Sequence, residues 1–367
     1  MSVKSLCGVL YLLLIAGAGP AFAFACHPDF PLQHGETLSW QGADDAYSVP
    51  LPDGRDVWIF GDTLYGPQRQ VVGNDPRMTH SSIGISTCDP RTGWHLAYFI
   101  KHGPHGQPES FFVPKEPKHW YWAMDGFVAR GSLWITLLCI KPAENPDSPA
   151  FNFQTCGADL ARISNPGDDP QNWKISYSTL VPDGVKAYPS ATAFVEGDYA
   201  YIFTLYEAGT HPMLLTRIPL SGLDNPAEHL EYLAADGAWK PGLVPEKARQ
   251  VMRQGATEMS VRYHPELKQW VAILIDPGFL SDKILERTAP SFTGPWTDGT
   301  VLYRIPEMLP GPQHDKDNFC YAAKEHPELE TDSSFLFTYV CNSLAVPKLV
   351  TRTDIYFPRV VTVPIPK

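Results

Sequence analysis

The chain of 367 residues carries a formal net charge of −11, with 29 Lys and Arg against 40 Asp and Glu, and 44% of it is hydrophobic. That hydrophobic share supports a sizeable core and excludes a disordered chain. The acidic balance, with no basic run, excludes nucleic acid and anionic membranes as partners.

Lys4 gives the N-terminus a positive start, residues 9–18 are almost wholly apolar, and Pro20 breaks the run. Ala21-Phe22-Ala23 and Ala23-Phe24-Ala25 both fit a small-x-small cleavage site, so residues 1–25 read as a secretory signal peptide outside the fold. The protein is expected to be exported, periplasmic or secreted. Cleavage after Ala25 would leave Cys26 first; a lipid anchor there is the less favoured alternative, because Ala23 and Phe24 match a Leu-rich lipobox poorly. No later run of 18 apolar residues exists, which rules out a spanning helix.

Six cysteines remain beyond Cys7. An even count in an exported chain suggests disulfides. Cys139 with Cys156 and Cys320 with Cys341 each flank a loop between strand-like runs, which leaves Cys26 for Cys88; buried free thiols are the alternative. No Cys-x-x-Cys occurs, which argues against a zinc ribbon or redox motif.

A strand, a tight turn and a second strand rich in aromatic and β-branched residues then recur five times. Unit one runs Ala46–Val49, Pro52-Asp53-Gly54, Val57–Phe60. Unit two runs Gly126–Val128, Ala129-Arg130-Gly131, Leu133–Ile135. Unit three runs Ala193–Val195, Glu196-Gly197-Asp198, Tyr199–Phe203. Unit four runs Ser260–Tyr263, His264-Pro265-Glu266-Leu267, Trp270–Ile273. Unit five runs Cys320–Ala323, a second His326-Pro327-Glu328-Leu329, and Phe335–Tyr339. Starts at Asp44, Asp125, Pro189, Glu258 and Tyr321 are spaced by 81, 64, 69 and 63 residues. Such a period, with about four short strands per unit, is the signature of a propeller. With 28 Gly and 36 Pro punctuating it, helical periodicity is nearly absent; residues 222–250 are the most helix-tolerant stretch, and Pro226, Gly237 and Pro241 break it. The fold expected is all-β, a single five-bladed β-propeller over residues 36–363, monomeric, with blade one completed by a strand from the far terminus. A large β-sandwich is the alternative.

In a propeller the innermost strands converge on the axis, so polar residues at their ends face a shared pocket. The first strands begin with acids in three units: Asp44 or Asp45, Asp125 and Glu258. Asp62 adds a fourth at the end of the second strand of unit one, where its alternative role is to cap a turn. Carboxylates converging among aromatics such as Tyr47, Trp120, Trp122 and Tyr188 suit sugar cleavage, because rings pack on sugar faces and two carboxyls serve as acid and base or nucleophile. His80, before Ser81-Ser82-Ile83, is a candidate hydroxyl contact. Of the two His-Pro-Glu-Leu segments, both read as hairpin turns, only His326 is placed to reach the site. Pairing with Arg253 or Arg262 is the alternative for Glu258. No Walker loop, His-Glu-x-x-His, Gly-x-Ser-x-Gly or dinucleotide fingerprint occurs.

Gly42-Ala43-Asp44, Leu51-Pro52-Asp53-Gly54-Arg55, Trp58-Ile59-Phe60-Gly61-Asp62-Thr63, Trp122-Ala123-Met124-Asp125-Gly126-Phe127, Glu258-Met259-Ser260-Val261, Tyr321-Ala322-Ala323-Lys324-Glu325-His326-Pro327 and Tyr339-Val340-Cys341-Asn342 together resemble the domain of unknown function 4185 family, over about residues 36–362. The resemblance implies a five-bladed propeller related to furanosidases. Part of that family is glycoside hydrolase family 183, whose members cut D-arabinan inside the chain. It also implies Asp44 and Asp62 as the catalytic pair; Asp125, Glu258, His80, Tyr47, Trp122, Tyr188, His326 and Asn342 are read from the residues as binding the polysaccharide or oligosaccharide. His80 departs from the pattern, where Asn is expected. A non-catalytic glycan-binding propeller or surface lipoprotein is the alternative. No cofactor is expected, because two carboxyls supply the proton transfer and the charge stabilisation; the reservation is a structural calcium on Asp44, Asp62 and Asp125.

Overall fold

The computed structural model describes residues 26–72, 75–144, 152–278, 280–331 and 333–365; residues 1–25, read above as a signal peptide, lie outside them. The chain forms a five-bladed β-propeller of antiparallel sheets. Blade one comprises Trp40–Pro50, Arg55–Tyr65, Ser82–Asp89 and Gly93–Phe99; blade two Trp120–Ala129, Ser132–Pro142, Phe153–Ile163 and Ile175–Val181. Blade three has five strands, Ala187–Glu196, Tyr199–Tyr206, Met213–Pro219, Glu231–Leu233 and Trp239–Pro241. Blade four comprises Met259–His264, Gln269–Ile275, Lys283–Ala289 and Thr300–Arg304, and blade five only Asn318–Glu325, Ser334–Ser343 and Arg359–Pro364. Pro226–His229 and Lys348–Thr351, each one turn long, are the only two helices among the described residues.

The strands read as near-continuous hydrophobic runs because both faces of each sheet are covered. Val57, Trp58, Ile59 and Phe60 are all fully buried. Apolar layers fill the five seams in turn. Tyr47, Val49, Val57 and Ile59 meet Tyr121, Leu133 and Ile135 between blades one and two. Phe127, Trp134 and Leu160 meet Ala193, Ile202 and Ile218 between two and three. Phe203 and Leu215 meet Val261 and Ala272 between three and four, and Val271 and Ile273 meet Phe335 and Phe337 between four and five. Leu329 and Leu336 meet Trp40, Trp58 and Phe60 between five and one, which closes the ring. Each such side chain contributes roughly 1.5–3 kcal/mol on burial.

The closure differs from the expectation that a far-terminus strand completes blade one. The C-terminal strand Arg359–Pro364 pairs within blade five. Blade one fills its own four positions from contiguous sequence, so no strand is needed there. The ring is clasped by a side chain instead. The buried Arg69 guanidinium donates to the carbonyls of Gln41 at 2.7 Å, Leu349 at 3.0 Å, Arg352 at 2.8 Å and Ile355 at 2.9 Å. This ties the 349–356 segment behind blade five to the inner strand of blade one.

All three expected disulfides are present, Cys26–Cys88, Cys139–Cys156 and Cys320–Cys341. They suit an extracellular or periplasmic location. The first holds Phe30 edge-on to Trp58, 5.0 Å between ring centres, over the seam between blades five and one. A sulfur committed to that bond has no valence for a lipid, so the disulfide and an anchor at Cys26 exclude each other. No helix among the described residues is long and apolar enough to cross a membrane.

At the axis one buried ionic cluster touches every blade. Asp125 of blade two, fully buried, accepts from the backbone N–H of Ala193 in blade three at 2.8 Å and from that of Gly126 at 2.8 Å. Lys324 Nζ of blade five lies 3.2 Å from its Oδ2, donates to the Met124 carbonyl at 3.0 Å and sits 3.9 Å over the Tyr47 ring of blade one. Arg262 of blade four lies 3.5 Å from the same carboxylate and donates to Thr192 of blade three at 3.0 Å. Burial pushes Asp125 up, but Lys324 and Arg262 outweigh it and hold the carboxyl below its ordinary range. Burial brings the Lys324 ammonium down to about 8.

Removing one member leaves a buried charge without its partner, which costs about 3–5 kcal/mol. Lys324→Ala is expected to lower the denaturant midpoint accordingly, whereas Arg55→Ala, which removes the exposed pair with Asp53, costs under about 1 kcal/mol. Equal losses in equilibrium unfolding would refute the axial role.

Candidate functional site

A tier of carboxylates adjoins this cluster. The inner strand of blade one bulges between Ala43 and Tyr47, with Asp45 and Ala46 at φ of 67° and 75°. The bulge brings two consecutive side chains to one place: a methyl group at Gly61 would run into Asp44 Oδ1 and Asp45 Oδ2 together. The close approach of these carboxylates is why position 61 is glycine.

The Tyr321 hydroxyl of blade five donates to Asp44 Oδ2 at 2.7 Å and accepts from Asn342 Nδ2 at 3.1 Å. The Tyr356 hydroxyl, 3.3 Å from the same Asp44 oxygen, donates to the Asp62 backbone carbonyl at 2.9 Å. Asp62 Oδ1 lies 2.8 Å from His80 Nδ1, and the His80 ring stacks on Trp120 with centres 5.0 Å apart. Glu258, on the lead-in to blade four, accepts from the Thr257 hydroxyl at 2.8 Å. Asp45 accepts from the Tyr47 hydroxyl at 2.8 Å and is buried. Asp44, Asp62 and Glu258 stay partly open, the Asp62 side chain 23% exposed.

Burial, then the like charges of Asp62 and Glu258, push the Asp44 carboxyl well above its ordinary range, against the bond from Tyr321. Burial and Asp44 do the same to Asp45. Burial raises Glu258. The set therefore holds protons where isolated carboxyls would have lost them. A group that keeps its proton near neutral pH beside one placed to act as base is the equipment of acid–base catalysis. An aromatic wall adjoins: Trp122 packs edge-on to Phe153, 4.8 Å between centres, and both cluster with Trp120 and Tyr188. The Tyr188 hydroxyl, 3.1 Å from Glu207 Oε2, is pushed up to about 12, chiefly by burial.

Of the residues singled out in the sequence, the structure gathers Asp44, Asp62, Glu258, His80 and Asn342, with Trp122 and Tyr188 in the aromatic cluster. Three others are corrected. Asp125 is fully buried in the axial cluster, so it cannot hold a substrate hydroxyl. Tyr47 is fully buried between Asp45 and Lys324. His326 is fully buried, bridging Ser48 at 2.7 Å and Thr338 at 2.8 Å, and burial followed by the charge of Lys324 brings it down to about 3. It is a neutral strut between blades one and five. Asp125 turns to Lys324 and Arg262, so it does not join Asp44 and Asp62 in the calcium set held as a reservation. Sequence reasoning left Asp44 and Asp45 as alternatives, where the structure brings both to one place, and it missed Tyr356 and Arg69, for which no local signal exists. Two flank clefts, of about 400 Å³ at residues 249–254 with Trp296 and about 270 Å³ beside the Cys139–Cys156 bridge, lie away from these acids.

The chain belongs to the family described as Domain of unknown function (DUF5005), whose sequence model matches residues 33–364. That match does not confirm the resemblance to the 4185 family. No curated protein matches. Among solved structures, a Bacteroides ovatus ATCC 8483 protein, provisionally described as a hydrolase, is similar with a TM-score of 0.68 at 17% identity, over 89% of this chain and 86% of that one. It shares the fold. An exo-1,5-α-L-arabinanase from a bovine ruminal metagenomic library has a TM-score of 0.43 at 10% identity, over 90% of this chain and 95% of that one. An α-L-arabinofuranosidase from Podospora anserina has 0.46 at 11%, over 91% and 93%.

The raised carboxyls fix a sign for pH dependence. A carboxyl whose pKa is higher folded than unfolded costs stability once pH exceeds its ordinary value, and the cost vanishes in acid. Asp44→Asn is therefore expected to raise the melting temperature by several degrees at pH 7 and by little near pH 4. A gap between wild type and variant that does not close in acid would contradict the crowded-acid reading.

Proposed function

We propose that the protein is an exported glycoside hydrolase that cleaves furanose-containing polysaccharide, arabinan first and within the chain, using Asp44 and Asp62. The observation that carries this is the pairing of Asp44, whose carboxyl is pushed well above its ordinary range by burial and by neighbouring acids, with the partly open Asp62 side chain beside His80. Asp44 donates its proton to the glycosidic oxygen as the bond to the anomeric carbon breaks. Asp62 either attacks that carbon or takes a proton from the water that does, and water supplies the hydroxyl of the new reducing end. Glu258 adds the negative charge that keeps Asp44 protonated and stabilises a cationic transition state. Tyr321, steadied by Asn342, holds Asp44 in place, and Trp122 offers a ring face to the sugar. The relative from Bacteroides ovatus, described as a hydrolase, is in keeping with this reading.

Purified protein incubated with arabinans, galactofuranans and pectic polymers is expected to release shortened oligosaccharides from arabinan, and the anomer first formed decides between inversion and retention. Asp44→Asn and Asp62→Asn should each lower kcat about 10²–10⁴-fold. Variants that release sugar as fast as wild type would overturn the assignment. Binding of a polymer without any product would instead identify a glycan-binding propeller.

A further inference from the structure

Away from the axial acids, the seam between blades four and five holds a second cluster. His264 ends the inner strand of blade four and Glu325 that of blade five, and Glu330 follows the single 3₁₀ turn Pro327–Leu329. One ligand atom from each of these three lies within 4.8 Å of the other two. The inner strand of blade four has six residues, so at ~3.3 Å per residue this cluster sits roughly 20 Å along the blade from Glu258.

The donor–acceptor balance within the cluster does not close. His264 Nδ1 lies 2.8 Å from Glu266 Oε1, so in the neutral ring the proton sits on Nδ1 and the lone pair on Nε2. Nε2 then faces Glu325 Oε1, also at 2.8 Å. That approach is short enough for an ion pair but is not aligned as a hydrogen bond. His264 Nε2 and both Glu325 oxygens are buried without a hydrogen-bond partner. Glu325 is 1% exposed. Among the described residues no Lys or Arg pairs with Glu325, Glu330 or Glu286, whose carboxyl is near enough to feel Glu325. With Nε2 unprotonated, a lone pair and a carboxylate face each other in the interior, an arrangement relieved by a cation between them, either a proton on Nε2 or a metal ion that displaces it. Two atoms that bind one ion at ~2.1 Å in a tetrahedron stand ~3.4 Å apart, so an ion at this place opens the 2.8 Å approach by roughly half an ångström. Glu330 Oε1 is fixed by the Leu336 N–H at 2.8 Å, which leaves its other oxygen for an ion. Glu266 on Nδ1 is the orienting carboxylate that metal-bound histidines commonly carry.

We propose that His264 Nε2, Glu325 and Glu330 bind one divalent transition-metal ion of the zinc class, which staples blade four to blade five. One imidazole and two carboxylates suit zinc or manganese; calcium would ask for six or more oxygens. The other such grouping among the described residues, His119 with Cys139 and Cys156, is spent on a disulfide.

The test uses the mature protein stripped with a chelator and titrated with Zn²⁺ alone by calorimetry, then with Mn²⁺ and Ca²⁺ alone. One Zn²⁺ or Mn²⁺ per chain is expected, with a rise of several degrees in melting temperature at saturation. Glu325→Gln and the more exposed Glu330→Gln should each weaken binding at least tenfold, while His105→Gln in an exposed loop leaves it unchanged. If Glu325→Gln fails to fold, Glu330→Gln and the visible spectrum of Co²⁺-loaded wild type carry the test: a ligand-field spectrum that Glu330→Gln alters supports the site. Substoichiometric binding, binding indifferent to these substitutions, or preference for Ca²⁺ would overturn the proposal.

Discussion

The Asp125–Lys324–Arg262 cluster is the constraint on which the ring depends. The inner strands of the five blades converge on one axis. Here one carboxylate, two cations and the Tyr47 ring meet, with contacts to all five blades. A buried pair of this sort is weak as a source of stability, because desolvation offsets most of the attraction. Its effect is on arrangement. Lys324 reaches both Asp125 and the Met124 carbonyl only when blade five stands opposite blade two, so an altered blade order would strand a charge.

The cluster is not neutral within itself. Two cations share one carboxylate, which leaves positive charge beside the tier of Asp44, Asp45 and Glu258. Lys324 lowers Glu258, though burial still raises that group overall. The acids are thus crowded enough to keep protons and yet are offset by a cationic floor. Without that floor these carboxyls would repel each other in a low-dielectric setting, while burial, the first cause of their raised values, acts with or without it.

Much of this was legible beforehand, for identifiable reasons. Strand–turn–strand recurrence exposes the blades because each hairpin is local in sequence, and the three disulfides follow from strand neighbours such as Cys320 opposite Cys341. The axial roles were less legible. Asp125, Tyr47 and His326 look like site residues because they are polar groups on inner strands, but depth along the axis, which separates burial from access, is not a property of residue type. The two His-Pro-Glu-Leu segments illustrate the same point. The first closes a short turn between His264 and Gln269; the second enters a 3₁₀ turn, and its next strand begins only at Ser334. Identical residues give one histidine two carboxylate neighbours and the other two hydroxyls. Arg69 and Tyr356 were invisible because each acts on a partner some 280 or more positions away, as the Arg69–Leu349 bond shows.

Strand alternation alone could not have built the site. In a regular inner strand Asp44 and Asp45 would point to opposite faces. Register shifts between Ala43 and Tyr47, Ala123 and Asp125, Pro189 and Thr192, and Tyr321 and Lys324 place an irregularity at the axis in four of the five blades. Bulges re-aim side chains and free backbone groups that a ladder would occupy. In blade two the shift coincides with Asp125, and in blade five it falls between Tyr321, which serves the acids, and Lys324, which serves the ionic cluster. The left-handed backbone of Ala46 and Ala322, at φ of 75° and 57°, costs on the order of 1 kcal/mol or more each, since neither residue is glycine. Both alanines are buried in the layers around the axis, so packing holds them there. Irregular backbone there lets the inner strand of blade one pack Ala46 inward while it gathers Asp44 and Asp45, and that of blade five pack Ala322 inward while it sends Tyr321 to the acids and Lys324 to Asp125.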